Sequence, residues 1–257
     1  MKTTLIQMNP TVGALGKNAE QMIARAEEAV QAGADLAVFP ELALTGYPPE
    51  DLILKPHFLA DTQALIQTLA KRLPPDLYVL AGAPWRENEK TFNAALLFHD
   101  GALQAVYKKN LLPNYGVFDE KRLFDAGTEP LVFDCCGVRV GVHICEDSWP
   151  ADGQPVQAVR KAGVDLAVNL SASPYHCGKI TERRNILTRA ARRIEAPIAY
   201  CNLIGGQDEL VFDGGSKVVL PSGEVACRAP QFIEALLTFE VPLRGPFESA
   251  PTPPEPE

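Results

Sequence analysis

The sequence predicts an α/β layered domain with two sheets face to face between helical layers. Three observations carry that expectation. A seven-residue segment is used twice: Ala32-Gly33-Ala34-Asp35-Leu36-Ala37-Val38 returns as Ala162-Gly163-Val164-Asp165-Leu166-Ala167-Val168, with six of seven positions identical. Each copy follows a helix-spaced apolar pattern and runs into a short apolar strand of the kind buried on both faces. Further strand-like and helix-like stretches interleave along the chain, which suits a layered domain in which each copy serves one half.

Taken in order, Thr4–Gln7 reads as the first strand. Asn18 is expected to cap a helix whose apolar positions Met22, Ile23, Ala26, Ala29 and Val30 share one face, with Gly33 as its left-handed stop. Strand Leu36–Phe39 follows, then a helix over Asp61–Arg72 and strands Tyr78–Ala81, Phe92–Phe98 and Leu103–Tyr107, the last two joined by the turn His99-Asp100-Gly101. Val138–Cys145 is the next strand. Val156, Val159 and Gly163 repeat the helix and its stop before strand Leu166–Leu170. A helix over Ile180–Glu195 leads to strands Ile198–Asn202, Gly215–Leu220 and Ala235–Val241, with Pro221-Ser222-Gly223 as a turn. Residues 1–243 thus form the expected domain, and 244–257, RGPFESAPTPPEPE, have the composition of an extended Pro/Glu-rich linker or tail.

Composition narrows the function. The 257 residues are 46% hydrophobic and 22% charged, ordinary for a folded domain able to bury a large core. A formal net charge of −8 argues against nucleic acid or an anionic membrane as partner and favours a small molecule. No apolar run approaches the roughly 18 residues of a membrane span, and the amino terminus lacks a signal-peptide core, so the cytoplasm is the default expectation. Six cysteines show no C-x-x-C pair, so no disulfide framework or zinc cluster is expected and most should be buried thiols. Asn169-Leu170-Ser171 matches a glycosylation acceptor, but at the end of an apolar strand it is discounted.

Strand ends deliver the reactive side chains: Glu41 after Leu36–Phe39, Lys108 and Lys109 after Leu103–Tyr107, Cys145-Glu146-Asp147 after Val138–Ile144, and Ser171 and Ser173 after Leu166–Leu170. Cys145 is the natural nucleophile, because thiolate is intrinsically reactive once a base or positive charge assists it. The plainer reading is a buried core thiol. For the base, His143 lies two residues away and would share a strand face with Cys145, although such a histidine is more often a bonded core residue. A partly buried Glu41 is the other candidate, against the plainer reading of a solvated turn acid. Lys108 or Lys109 could stabilise an oxyanion, or either could be a surface lysine. Phosphate-binding glycine loops are missing. The residues reach a possible Cys-Glu-Lys hydrolase.

Five segments in order, FPELALTGYPPEDL (39–52), YKKNLLPNYGVFDEKRLF (107–124), GVHICEDSW (141–149), NLSASPY (169–175) and GGQDELVFDGGS (205–216), resemble the nitrilase-like carbon-nitrogen hydrolases. More narrowly, LPNYGVFDE, ICEDSW and GGQDELVFDG are similar to the glutaminase domain of glutamine-dependent NAD+ synthetases. The resemblance implies a four-layer αββα sandwich and a Glu-Lys-Cys triad, with Glu41 as base, Cys145 as nucleophile and Lys109, four residues before Pro113, favoured over Lys108. It implies a supporting acid at Glu120 and a glutamine pocket drawn from Tyr47, Tyr115, Glu146, Trp149, Ser171, Ser173 and Lys179. The implied reaction hydrolyses the glutamine side-chain amide through a Cys thioester, with no metal and no cofactor.

The Ser-Gly-Gly-x-Asp-Ser loop of the ATP-dependent synthetase half is not found; neither Gly205-Gly206-Gln207-Asp208 nor Gly214-Gly215-Ser216 fits it. By the resemblance, ammonia would pass to an NAD+ synthetase domain, in cis or in trans, acting on deamido-NAD+ with ATP and Mg2+, and the protein would form homo-oligomers. The alternatives are a stand-alone amidase acting on another small amide and a non-catalytic assembly or regulatory domain.

Overall fold

The computed structural model describes residues 1–243 and Phe247, so the expected linker, 244–257, lies outside the described residues except for that one position. The strands are β1 (Lys2–Gln7), β2 (Leu36–Val38), β3 (Tyr78–Glu87), β4 (Lys90–His99), β5 (Ala102–Lys108), β6 (Leu131–Cys135) and β7 (Val138–Ile144). They continue as β8 (Leu166–Ser171), β9 (Ile198–Asn202), β10 (Ile204–Gln207), β11 (Leu210–Asp213), β12 (Lys217–Val219), β13 (Val225–Arg228) and β14 (Ala235–Glu240). The helices are α1 (Leu15–Gln31), α2 (Pro56–Arg72), α3 (Glu120–Leu123), α4 (Gln154–Ala162) and α5 (Lys179–Ile194), with single 3-10 turns at Glu50–Leu54 and Cys145–Ser148.

Two six-stranded sheets result, ordered β14-β1-β2-β3-β4-β5 and β13-β12-β9-β8-β7-β6. Each has a parallel centre, β1-β2-β3 in one and β7-β8-β9 in the other, flanked by antiparallel strands. Leu36, Val38 and Leu80 from the first sheet share one apolar cluster with Val140, Leu166 and Val168 from the second, so the sheets meet face to face. The outer face of the first packs on Met22, Ala26, Ile66 and Leu69 of α1 and α2. The outer face of the second packs on Val156, Val159, Leu187 and Ala191 of α4 and α5. This is the αββα sandwich.

The duplicated segment does the same work in both halves. Leu36 and Val38 point between the sheets while Ala37 lies under helices, and Leu166, Val168 and Ala167 repeat that alternation. Asp35 accepts from Lys2 N–H at 2.7 Å, and Asp165 accepts from Arg139 N–H at 2.8 Å, each fastening its strand to the neighbouring parallel strand. Gly33 and Gly163 stop their helices at φ 77° and 67°, as the pattern predicts.

Several boundaries differ from expectation, each for a local reason. Helix α1 begins at Leu15, so Asn18 is an interior helix residue and not a cap. Its buried amide is instead spent on Thr11 N–H, Thr11 C=O and Leu44 C=O, joining the helix to two loops. Helix α2 begins at Pro56, whose missing N–H costs nothing in a first turn. Strand β3 runs on through Pro84, which lies beyond the end of the three-residue β2 and pairs only with β4. Strand β7 ends at Ile144, one residue short of Cys145. β6, β13 and the β10–β11 hairpin were not legible in the pattern; the hairpin turns at Asp208-Glu209, without the Asn-Gly type of signal. Four of the six cysteines are buried, while Cys136 and Cys177 are exposed; all six are free.

Candidate active site

The chain leaves β2, β5, β7 and β8 at the same edge of the sandwich, and there it brings together residues far apart in sequence. After β2 the chain turns sharply, and the Glu41 backbone lies against Gly82 of β3. A Cβ at Gly82 would stand 2.3 Å from Leu42 N and 2.4 Å from Pro40 O, so only glycine permits this approach. Glu41 is thereby held inside the protein at 1% exposure, and not on a solvated turn.

A buried charge cluster surrounds it. Lys109 Nζ donates to Glu41 Oε1 at 2.7 Å and to both oxygens of Glu120 at 2.8 Å. Asn93 donates to Glu41 Oε1 at 2.7 Å, and Ala172 N–H, beyond β8, donates to Glu41 Oε2 at 2.8 Å. Tyr47 O–H donates to Glu120 Oε1 at 2.9 Å. Burial disfavours the Lys109 ammonium, but Glu120 and Glu41 outweigh it and push its pKa well above the ordinary lysine value. The two carboxyls compete for this one cation. Burial, together with Glu41, raises Glu120 to about 7 against the pull of Lys109. Lys108 faces outward, pairing with Glu87 and lying over the Phe92 ring.

Cys145 opens the 3-10 turn after β7 with φ 42°, an uncommon backbone state for a residue carrying a Cβ. The turn carries it off the strand, so it does not share a regular face with His143. Its carbonyl accepts from Asn169 at 3.1 Å. The thiol is 4% exposed; burial and then the charge of Glu41 push its pKa up, with Lys109 pulling the other way and Glu120 and Glu146 adding to the rise. His143 is a buried core residue: its Nδ1 meets Ser148 Oγ at 3.0 Å, and burial lowers its pKa to about 4, leaving it neutral. Ser148 Oγ also accepts from Asn169 at 2.7 Å, so the Ser148 hydroxyl is free to donate to His143.

The remaining sequence-derived residues form three groups. Tyr115, half exposed, donates to Glu146 Oε2 at 2.8 Å. Lys179 stands 4.1 Å from the centre of the Trp149 ring and 3.1 Å from Glu182 Oε2. Ser171 and Ser173 are drawn into internal networks: Ser171 Oγ donates to Asn169 Oδ1 at 2.6 Å, and Ser173 Oγ accepts from Arg183 at 3.2 Å. Arg183 is itself a buried partner of Asp213, at 2.6 Å. A small void of about 10 Å³ lies beside Cys145, lined by Trp149, Asn169, Arg183 and Tyr200 among others. Sequence reasoning missed Asn93 and Arg183, and it named Asn169 and Asp147 without giving either a role of its own in the site. Asn93 and Asn169 interrupt apolar strands, a signal that gains meaning once those strands are known to be buried, whereas Arg183 sits on a helix rich in charge and Asp147 in a polar turn, where nothing local sets the buried residue apart.

A four-layer sandwich with a buried carboxylate–ammonium cluster beside a cysteine turn defines the class of a layered α/β hydrolase. The Carbon-nitrogen hydrolase family profile matches residues 2–245, and the chain belongs to that family. Among curated relatives, the glutamine-dependent NAD(+) synthetase of Thermotoga maritima is 44% identical over 244 residues, covering 95% of this chain and 42% of its own length. That of Synechocystis sp. is 41% identical over 255 residues, covering 92% of this chain and 46% of its own length. The chain therefore spans less than half the length of these relatives. The solved glutamine-dependent NAD+ synthetase of Acinetobacter baumannii, in complex with ADP, superposes with a TM-score of 0.92 at 36% identity, over all of this chain and 48% of that one. An amidase from Nesterenkonia sp. shares the fold, with a TM-score of 0.78 at 24% identity over 93% of this chain and 89% of that one. Among the described residues, no helix is long and apolar enough to cross a membrane.

Proposed function

We propose that this chain hydrolyses the side-chain amide of glutamine to glutamate and ammonia, with Glu41, Lys109 and Cys145 as its catalytic residues. The observation that carries the reading is the buried contact of Lys109 with Glu41 and Glu120 next to the Cys145 turn. Because burial keeps the thiol protonated, its proton must leave as attack occurs. Glu41 takes that proton, a bond forms between Cys145 Sγ and the amide carbon, and the developing oxyanion faces Lys109 and a backbone N–H beside Cys145. Glu41 returns the proton to the nitrogen, the C–N bond breaks and ammonia leaves. Water then gives a proton to Glu41 and attacks the thioester; the C–S bond breaks, glutamate departs and the thiol is restored. Glu120 supports the step by holding Lys109 charged, and Tyr47 holds Glu120.

The α-ammonium and α-carboxylate of glutamine need fixed partners, because desolvating them unpaired is costly. Glu146, oriented by Tyr115, is assigned to the ammonium; Trp149, Lys179, Ser171 and Ser173 line the remainder. The names and double length of the relatives support a further assignment, that the ammonia feeds an NAD+ synthetase domain acting on deamido-NAD+ with ATP and Mg2+. Self-association belongs to the same reading.

The test is mass spectrometry after exposure to a glutamine-mimicking diazoketone. One adduct per chain is expected, lost in Cys145→Ala and retained in Cys201→Ala, with glutamine protecting. Labelling that survives Cys145→Ala, or that other small amides block and glutamine does not, would refute it.

A further inference from the structure

One buried carboxylate joins the cysteine turn to the lysine loop across the sandwich. Asp147 is fully buried, and both its oxygens are used twice. Oδ1 accepts from the N–H groups of Asn110 at 3.1 Å and Leu111 at 2.8 Å. Oδ2 accepts from Ile144 N–H at 3.1 Å and from the Tyr107 hydroxyl at 2.8 Å. Three of these donors, Tyr107, Asn110 and Leu111, flank Lys109 at the end of the first sheet. The fourth, Ile144, immediately precedes Cys145 at the end of the second.

The geometry needs such a tie. The interior between the sheets is apolar, and apolar contact is non-directional, so it sets the spacing of the sheets better than their lateral register. Lys109 is fixed to its own sheet, its N–H donating to Asn93 C=O at 2.8 Å and its C=O accepting from Gly127 N–H at 2.8 Å. Cys145 belongs to the other sheet. Glu41 spans the gap to Ala172 beyond β8, and Asp147 spans it to the loop after β5. A carboxyl buried this deeply is costly; desolvation raises Asp147 to about 6 although backbone N–H groups and Lys109 oppose the rise.

We propose that Asp147 is the positioning residue that holds the Lys109 loop in register with the Cys145 turn, acting on the chemical step and not on substrate binding. This deepens the reading of Cys145 as nucleophile and rests on it. A role confined to capping the 3-10 turn would alter stability and the fraction of chains that can be labelled, but not the rate constant of those that are.

The experiment measures inactivation of the full chain by the same diazoketone, separating the limiting rate kinact from the half-saturating concentration. Asp147→Asn keeps the volume but turns an NH2 group toward donors. It is expected to lower kinact on the order of 10²-fold, with half-saturation within about twofold and still one adduct per chain. Tyr107→Phe removes one of the four hydrogen bonds, carries the test if the first variant does not fold, and is expected to lower kinact roughly three- to tenfold. Unchanged kinact in a folded variant, or a loss wholly accounted for by fewer labelled chains or weaker half-saturation, overturns the inference and leaves Cys145 as nucleophile intact. Absence of Cys145 labelling in the wild-type chain removes that reading, and this one with it.

Discussion

Glu120→Gln tests whether two buried carboxyls share one ammonium. Glu41 and Glu120 both contact Lys109, giving the cluster one more potential negative charge than positive. Burial raises Glu120 from its ordinary 4.5 to about 7, with Lys109 opposing and Glu41 adding to the rise. A carboxyl held higher in the folded than in the unfolded chain favours folding while both states are protonated, and that advantage is lost as pH rises through the folded value. The displacement corresponds to about 3 kcal/mol. Glutamine at this position mimics the protonated acid and cannot ionise. Between pH 4.5 and about 7 the wild-type chain should therefore lose roughly 3 kcal/mol of unfolding free energy relative to Glu120→Gln, with no further divergence above that range. Urea unfolding of both proteins at closely spaced pH values, under equal salt, reads the difference directly. A difference that stays flat, or one in which the wild type gains on the variant as pH rises, would refute the shared-cation argument. The latter outcome would mean that Lys109 outweighs burial and stabilises the ionised form.

Glu146→Gln should raise the glutamine KM roughly 10- to 100-fold, the loss of one charge-assisted contact, with kcat falling much less; steady-state ammonia release checks this, and unchanged kinetics would take Glu146 out of the pocket. Gly82→Ala places a Cβ 2.3 Å from the Leu42 nitrogen, against backbone that cannot swing away, so it should destabilise the fold by several kcal/mol, about the upper end for single substitutions. Thermal unfolding reads that loss, and a melting point close to wild type would show that the Glu41 turn is less constrained than its geometry implies.

The pattern of residues carried much of the architecture because that part is encoded locally. The apolar runs Leu36-Ala37-Val38 and Leu166-Ala167-Val168 mark strands buried on both faces without reference to the rest of the chain, although packing decides which face meets the other sheet, and Gly33 and Gly163 end their helices through their own backbone freedom. Asn18 misled for a related reason. Its short amide is as good a cap as it is a loop staple, and only the proximity of Thr11 and Leu44 decides between them. His143 and Cys145 look like neighbours in a strand register, yet the chain leaves β7 between them and the left-handed backbone at Cys145 separates their roles.

Taken by itself, the sequence determined a duplicated α/β layered frame, an acidic chain, and a set of strand ends bearing an acid, two lysines and a cysteine; resemblance then singled out Glu41, Lys109 and Cys145 among them. Tertiary structure decided everything that depends on company. Glu41 meets Asn93, Lys109 and Ala172 across 52, 68 and 131 residues of chain, separations over which no local pattern can specify contact. Which of two adjacent lysines is buried, which carboxyl is pushed up in pKa, and which aspartate joins one sheet to the other follow from how the two sheets pack. The energy of a buried charge is set by the partners and water left around it, and those are properties of the assembled interior.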